Sequence, residues 1–246
     1  TQEGQRKIFS LEFKDVPQII PESSMPPMAR INPYILFSTF ESWQDIYTWW
    51  RDLYKDKIIA DEDIKAKVHE LIKDKSGLEE KTRAIYNFCA QEIRYVAVEY
   101  GDAGYEPHMA SEIFKNKYGD CKDKAILLIS MLGVAGIESF PVLISTSDSL
   151  DVQENLPTLL FDHAIAATKM GEELVFMDAT GTTVSFSDLP FSDQGRTTLI
   201  FFKDRYELIK TPLFEPEHNK VSTRMKIKVK EDESISGERE IETHGA

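Results

Sequence analysis

The chain has 246 residues, enough for one large domain or for one domain with pieces of its neighbours. Hydrophobic residues make up 41% and aromatics 11%, which excludes wholesale disorder. Lys+Arg is 29 against 42 Asp+Glu, a formal charge of −13, and an acidic surface argues against nucleic acid or an anionic membrane as the main partner.

From the N-terminus, residues 7 to 13 read as a strand on the spacing of Ile8, Leu11 and Phe13. Pro17, Pro21, Pro26, Pro27 and Pro33 then interrupt regular structure up to Tyr34. Ile35-Leu36-Phe37 is a short strand candidate. Ser42, with Asp45 three residues on, reads as a helix cap close to a capping box. Trp43, Ile46, Tyr47, Trp50 and Tyr54 then fall on one helical face. That stripe reads as core packing rather than a ligand box, because aromatics dominate buried area. Asp61 opens a second helix with Ile64, Val68, Leu71 and Ile72 inward and His69 outside the stripe, at the surface. Gly77 breaks the pattern, and a third helix carries Leu78, Thr82, Ile85, Tyr86, Cys89 and Ile93 on one face. Cys89 on that apolar stripe reads as a buried, inert thiol. A strand over 93–98 follows, then a long loop marked by Gly101, Gly104 and Pro107 that carries Tyr100, Tyr105 and His108, placed to line a cleft. Ala110, Ile113 and Phe114 indicate a short helix.

The most informative stretch is Tyr118-Gly119-Asp120-Cys121-Lys122-Asp123-Lys124-Ala125. A flexible Gly precedes a Cys, and the Cys opens an apolar helix with Ala125, Leu128, Ile129 and Leu132 on its own face, closed by Gly136. A thiol at a helix N-terminus meets free N–H groups and the positive end of the helix dipole, which favour thiolate. Strands are predicted at 140–145, 161–168, 173–178 and 197–202, and a further hairpin strand at 206–209 follows Lys203-Asp204. His163 lies on the second of these and Asp178 closes the third. A turn centred between Met170 and Gly171 sets the two directly opposite on one face, with Cβ atoms about 4.5–5.5 Å apart. Cys, then His, then Asp on successive elements is the order of a thiol acyl-transfer site: His163 takes the thiol proton and Asp178 stabilises the imidazolium. His108 is the runner-up base. Pro212 and Pro216 mark a linker, and the clean alternation of Lys220 to Lys230 is a strand of another sheet or domain.

The longest apolar run is far short of a membrane span, and the first residues lack a signal-peptide pattern. The start at Thr1 without Met points to a fragment of a longer protein. Two cysteines make no disulfide framework. With no C-x-x-C and five scattered His, neither a metal nor another cofactor is expected.

At these residues the chain resembles the bacterial transglutaminase-like superfamily. The matching stretches are Ile93-Arg94-Tyr95, Gly104-Tyr105-Glu106-Pro107, Tyr118 to Asp123, Ala135-Gly136-Ile137, Phe161-Asp162-His163-Ala164 and Met177-Asp178-Ala179-Thr180, in order along the chain. The resemblance implies an α+β, papain-like core: helices packed on an antiparallel sheet, with the nucleophilic Cys at a helix N-terminus. It implies Cys121 as nucleophile, His163 as base and Asp178 as orienter, acting on an amide of a protein or peptide substrate by hydrolysis or acyl transfer. Tyr95 and Tyr105 are the candidates for a second oxyanion donor. The likeness is closest to multidomain proteins with flanking β-rich domains. It sets 1–40 as the tail of an upstream β-rich domain or an arm, 41–212 as the core, and 213–246 as a linker and the start of a downstream β-rich domain. Proteins of that domain order are typically exported, so the implied setting is periplasmic or cell-surface. The competing class is an inactive module that binds a peptide or glycan in the same cleft.

Overall fold

A computed structural model describes residues 2–3, 6–97, 101–148 and 150–245. Val98 and Tyr100, both invoked above, lie outside the described residues.

The sequence puts its strongest helix signals early, and each becomes a helix with a visible start. A two-stranded ribbon of β1 (Gln2–Glu3) and β2 (Arg6–Lys7) and a single helical turn, α1 (Met28–Ile31), come first. The strand expected over 7–13 does not form beyond Lys7, and 35–37 is irregular. Ile8, Phe9, Leu11, Phe13 and Phe37 are all exposed, so the alternation there has no buried face to hold it in a strand. Helix α2 (Trp43–Tyr54) starts at Ser42 in a full capping box with Asp45. Its aromatic stripe is buried, as its spacing requires. Tyr47 donates to the Phe202 carbonyl at 2.9 Å, and Trp50 donates to the Tyr105 carbonyl at 3.1 Å. Helix α3 (Glu62–Ile72) is capped by Asp61, whose carboxylate accepts from the Ile64 N–H at 2.9 Å. His69 is exposed. Helix α4 (Leu78–Glu92) begins after Gly77, and its Cys89 is fully buried.

Two short strands, β3 (Arg94–Tyr95) and β4 (Tyr118–Gly119), pair in parallel on either side of the loop and α5 (Ala110–Asn116). They deliver the chain to α6 (Cys121–Val134), the central helix. From Cys121 to Leu132 every residue of α6 is buried. The sequence marks one apolar stripe, whereas the structure surrounds the helix: α3, α4 and α5 pack on one side and the sheet on the other. Each fully buried Leu, Ile or Met there contributes roughly 1.5–3 kcal/mol relative to exposure. The helix ends in a Schellman motif. Gly136 takes φ 72, the Ile137 N–H donates to the Leu132 carbonyl at 2.9 Å and the Gly136 N–H to the Gly133 carbonyl at 3.0 Å.

The sheet is five-stranded and antiparallel throughout, in the order β7-β6-β5-β8-β9, formed by β5 (Ser139–Ile144), β6 (His163–Met170), β7 (Glu173–Met177), β8 (Thr197–Phe201) and β9 (Tyr206–Lys210). The architecture is therefore the expected α+β one, with helices on an antiparallel sheet and the Cys at a helix N-terminus. The β6–β7 turn is Gly171-Glu172, with Met170 paired to Glu173. Among its two central residues only Gly171, at φ 67, is positive, which is the type II′ pattern. After a linker, β10 (Lys220–Val229) and β11 (Ile235–His244) form a hairpin that pairs only with itself among the described strands. Among the described residues no helix is long and apolar enough to cross a membrane.

Candidate active site

The Gly-Asp-Cys corner is built by close packing. A Cβ at residue 119 would lie 2.6 Å from the Asp123 Cβ, so only glycine lets the chain pass beneath the first turn of α6. Asp120 is the N-cap, and its carboxylate accepts from the Asp123 N–H at 3.2 Å while the Asp123 carboxylate accepts from the Asp120 N–H at 3.3 Å. The amides of Cys121 and Lys122 open the helix and have no carbonyl behind them to donate to. Such amides can donate to a negatively charged oxygen held beside the sulfur.

Charge around this corner is buried and paired. The Lys122 ammonium donates to the Asp120 carboxylate, both nearly inaccessible. Burial pushes the Asp120 pKa up, and the Lys122 bond only partly offsets it. Lys124 is fully buried, with its ammonium on the carbonyls of Ile93 and Ala90. It thereby pins the C-terminus of α4, and burial holds its pKa below the usual lysine value. Asp123 also accepts from the His108 N–H at 2.8 Å and meets His108 Nδ1 at 3.0 Å. His108, the runner-up base, is thus committed to Asp123 and stands outside the cavity at the thiol.

His163 opens β6. Its Nε2 lies 3.2 Å from Asp178 Oδ2. The pairing differs from the sequence expectation. The turn falls at Gly171-Glu172, so in register His163 stands level with residue 180, two beyond Asp178. A slip of two keeps both side chains on one face, and the diagonal of about 7–8 Å between backbones is bridged by the side chains. Asp178, just past the end of β7, is 2% exposed. Its Oδ1 accepts from the Thr180 N–H at 2.8 Å and from the Thr180 hydroxyl at 2.7 Å, while the Tyr86 hydroxyl donates to its carbonyl at 2.8 Å. With Nε2 spent on Asp178, Nδ1 is the imidazole nitrogen left for the thiol.

Cys121 and His163 line one cavity of 260 Å³ together with Trp50, Tyr105, Leu143 and Phe161. Burial alone would lower the imidazolium pKa. Hydrogen bonds to Asp178 and then to Cys121 reverse that and raise it to about 11. For Asp178, burial opposes ionisation, but the His163 bond, its charge and the Thr180 donors prevail and hold the pKa below the ordinary carboxylate value. Cys89 sits in the core away from this cavity, and burial pushes its thiol up to about 12. Of the two tyrosines, Tyr105 borders the thiol's cavity, whereas Tyr95 borders a second cavity of 460 Å³ across the imidazole.

Three groups escaped the sequence reading: Lys122, Lys124 and Asp193. The two lysines gave a signal, charges interrupting an apolar helix directly after the Cys. Asp193 gave none, since it ends a single 3-10 turn, Phe191–Asp193, too short for any periodicity to mark. Among the described residues His163, Asp178 and Asp193 form the one cluster with the donor spacing of a cation site, one atom of each lying within 4.8 Å of the others.

Residues 65–177 match the family model of the transglutaminase-like superfamily. Among solved structures, the chain is similar to a candidate protease from Parabacteroides distasonis, with TM-score 0.55 and 16% identity, over 76% of this chain and 37% of that one. It is also similar to a candidate cysteine protease from Cytophaga hutchinsonii, with TM-score 0.41 and 12% identity, over 79% of this chain and 56% of that one. The chain therefore spans less than two thirds of either protein, and at 16% identity the likeness to the first is one of fold. No curated protein matches the chain.

Proposed function

Residues 65–177 belong to the transglutaminase-like superfamily, and from that premise we propose that this chain carries a cysteine-dependent acyl-transfer site for peptide amides. The observation that carries the reading is the imidazole held by a buried carboxylate at 3.2 Å, in a ring that shares one cavity with the Cys121 thiol. Cys121 is the nucleophile, His163 the acid and base, and Asp178 the orienter. The sulfur attacks the amide carbonyl, a C–S bond forms and the carbonyl electrons move to oxygen, where the Cys121 amide donates. The tetrahedral species collapses as the His163 imidazolium gives its proton to the nitrogen, and the C–N bond breaks to release the amine. Water or a second amine then attacks the thioester, with His163 accepting its proton, and frees Cys121. Water gives hydrolysis; an amine gives transfer. We assign the catalytic unit to 41–212, 1–40 to the tail of an upstream β-rich domain or an arm, and 213–246 to a linker and the start of a downstream β-rich domain, the last supported by the self-paired β10–β11 hairpin.

The test is incubation with peptide and amine libraries followed by mass spectrometry of the Cys121 peptide. An acyl adduct on Cys121 that is absent in Cys121→Ala and is slowed in His163→Ala is expected. Peptide retention without any adduct would overturn the enzymatic reading in favour of a binding module.

A further inference from the structure

Asp193 is a buried acid that neither caps a helix nor enters the steps above. It is 1% exposed, yet among the described residues its Oδ2 has no hydrogen-bond partner. Its Oδ1 accepts from the Ser192 hydroxyl at 2.8 Å. The residue is held rigidly. Its N–H donates to the Pro190 carbonyl at 2.9 Å, and its carbonyl accepts from the Thr211 hydroxyl. Arg196 fastens the neighbouring Ser192 carbonyl at 2.8 Å. An orphan carboxylate oxygen in such a place is costly unless something answers it.

What faces it defines the answer. Asp178 and His163 each have an atom within 4.8 Å of a carboxylate oxygen of Asp193. Asp162 and Tyr95 border the same cavity. Two carboxylates so close and so buried cannot both ionise at ordinary cost. A cation is the poorer answer, because the proton on Nε2 that points at Asp178 leaves that nitrogen no lone pair to give. A proton between the two acids satisfies the orphan oxygen and removes the repulsion.

Building on the reading of Cys121, His163 and Asp178 as the reacting set, we propose that Asp193 is a positioning residue of the site that shares a proton with Asp178. Protonated, it donates to Asp178 and braces the carboxylate that holds the imidazole. Ionised, it adds negative charge beside the imidazolium and makes His163 slower to give its proton to a leaving amine. Burial, and then the Asp178 charge, raise the Asp193 pKa to about 6, within reach of ordinary working conditions.

The experiment reads Asp193 directly in the folded wild-type chain by carbon-13 labelling of aspartate and NMR across pH 4–8. The Asp193 carboxyl is expected to titrate near 6, about two units above an ordinary aspartate. The His163 ring signals should step at the same pH without losing a proton. In Asp193→Asn that step disappears, and the pH profile of Cys121 alkylation loses its inflection there, a change of roughly threefold to tenfold. An Asp193 carboxyl that titrates in the ordinary range, or a His163 step that survives Asp193→Asn, overturns the proposal. Should the variant not fold, the wild-type carboxyl titration still decides. Neither NMR readout needs a substrate, so failure of the enzymatic reading, seen as a missing Cys121 acyl adduct, is separable from failure of this one.

Discussion

Replacing Asp178 by Asn removes a charge and turns the acceptor that faces His163 into a donor. The two Thr180 donors, at 2.8 and 2.7 Å, still find an acceptor in the Asn carbonyl, so the loop keeps its shape. What changes is the field at His163. A unit charge pair at 3.2 Å is worth about 5 kcal/mol at an effective dielectric of roughly 20. The Asn NH2 that then faces Nε2 accepts nothing from it, and only relaxation of the ring and its surroundings recovers part of that energy, which leaves a net loss of about 2–3 kcal/mol, or about two pKa units. The imidazolium, held at about 11, should then lose its proton about two units lower. The thiolate–imidazolium pair should also lose ground to the neutral pair by about a hundredfold. The assay is iodoacetamide alkylation of Cys121 against pH, alongside the rate of peptide adduct formation at pH 7. The alkaline limb should move down by about two units and the adduct rate should fall by about a hundredfold. An alkaline limb that stays in place, with an adduct rate within about threefold of wild type, would refute the claim that Asp178 supports the imidazolium.

Four further outcomes follow from the same packing. Mild alkylation should label Cys121 and spare Cys89, whose thiol burial lifts to about 12; preferential labelling of Cys89 in mass mapping would contradict this. Gly119→Ala sets a Cβ 2.6 Å from Asp123 and should cost about 1–3 kcal/mol in urea unfolding, so an unchanged midpoint would show that the corner is looser than described. Lys124→Met leaves the Ile93 and Ala90 carbonyls without their ammonium and should cost about 1–3 kcal/mol, measured the same way. His163 has a folded pKa of about 11 against 6.5 unfolded, so its contribution to stability is full below about 6.5 and drains away as pH rises to about 11. Thermal melts should therefore fall between pH 7 and 11 more steeply in wild type than in His163→Ala, and parallel slopes would count against the pair.

Much of the fold was legible because its signals are local. The aromatic stripe of α2, the Asp61 cap and the Gly136 stop are each written within a few residues, and each appears where periodicity and cap chemistry put it. The failures are non-local. Ile8, Leu11 and Phe13 alternate well enough for a strand, but a strand needs an edge to pair with, and no spacing reveals whether one is available. The burial of Lys124 is a failure of the same kind. A lysine one turn into an apolar helix reads as a solvent-facing interruption until the end of α4 is known to lie over it. Asp193 was invisible for a third reason: it ends one short 3-10 turn whose place beside Asp178 depends on the rest of the fold, and nothing periodic leads to it.

The His163–Asp178 contact sits between these extremes. The expected turn was one position off centre, which displaced the pairing by two residues. Side chains alternate across a sheet with period two, so an even displacement preserves the face and an odd one inverts it. The carboxylate therefore stays on the imidazole's side, reaches it along a diagonal at 3.2 Å, and is aimed there by Thr180 from beyond the strand end. The sequence carries the face of a residue firmly and its exact partner weakly. A pair of long or planar side chains tolerates that weakness, because either the direct or the diagonal neighbour lies within their span. A thiol at a helix mouth is less forgiving. Its position depends on the close passage of Gly119 over Asp123, which no alternative register would supply. The Gly-Asp-Cys corner is accordingly where a single methyl group should do the most damage to the arrangement.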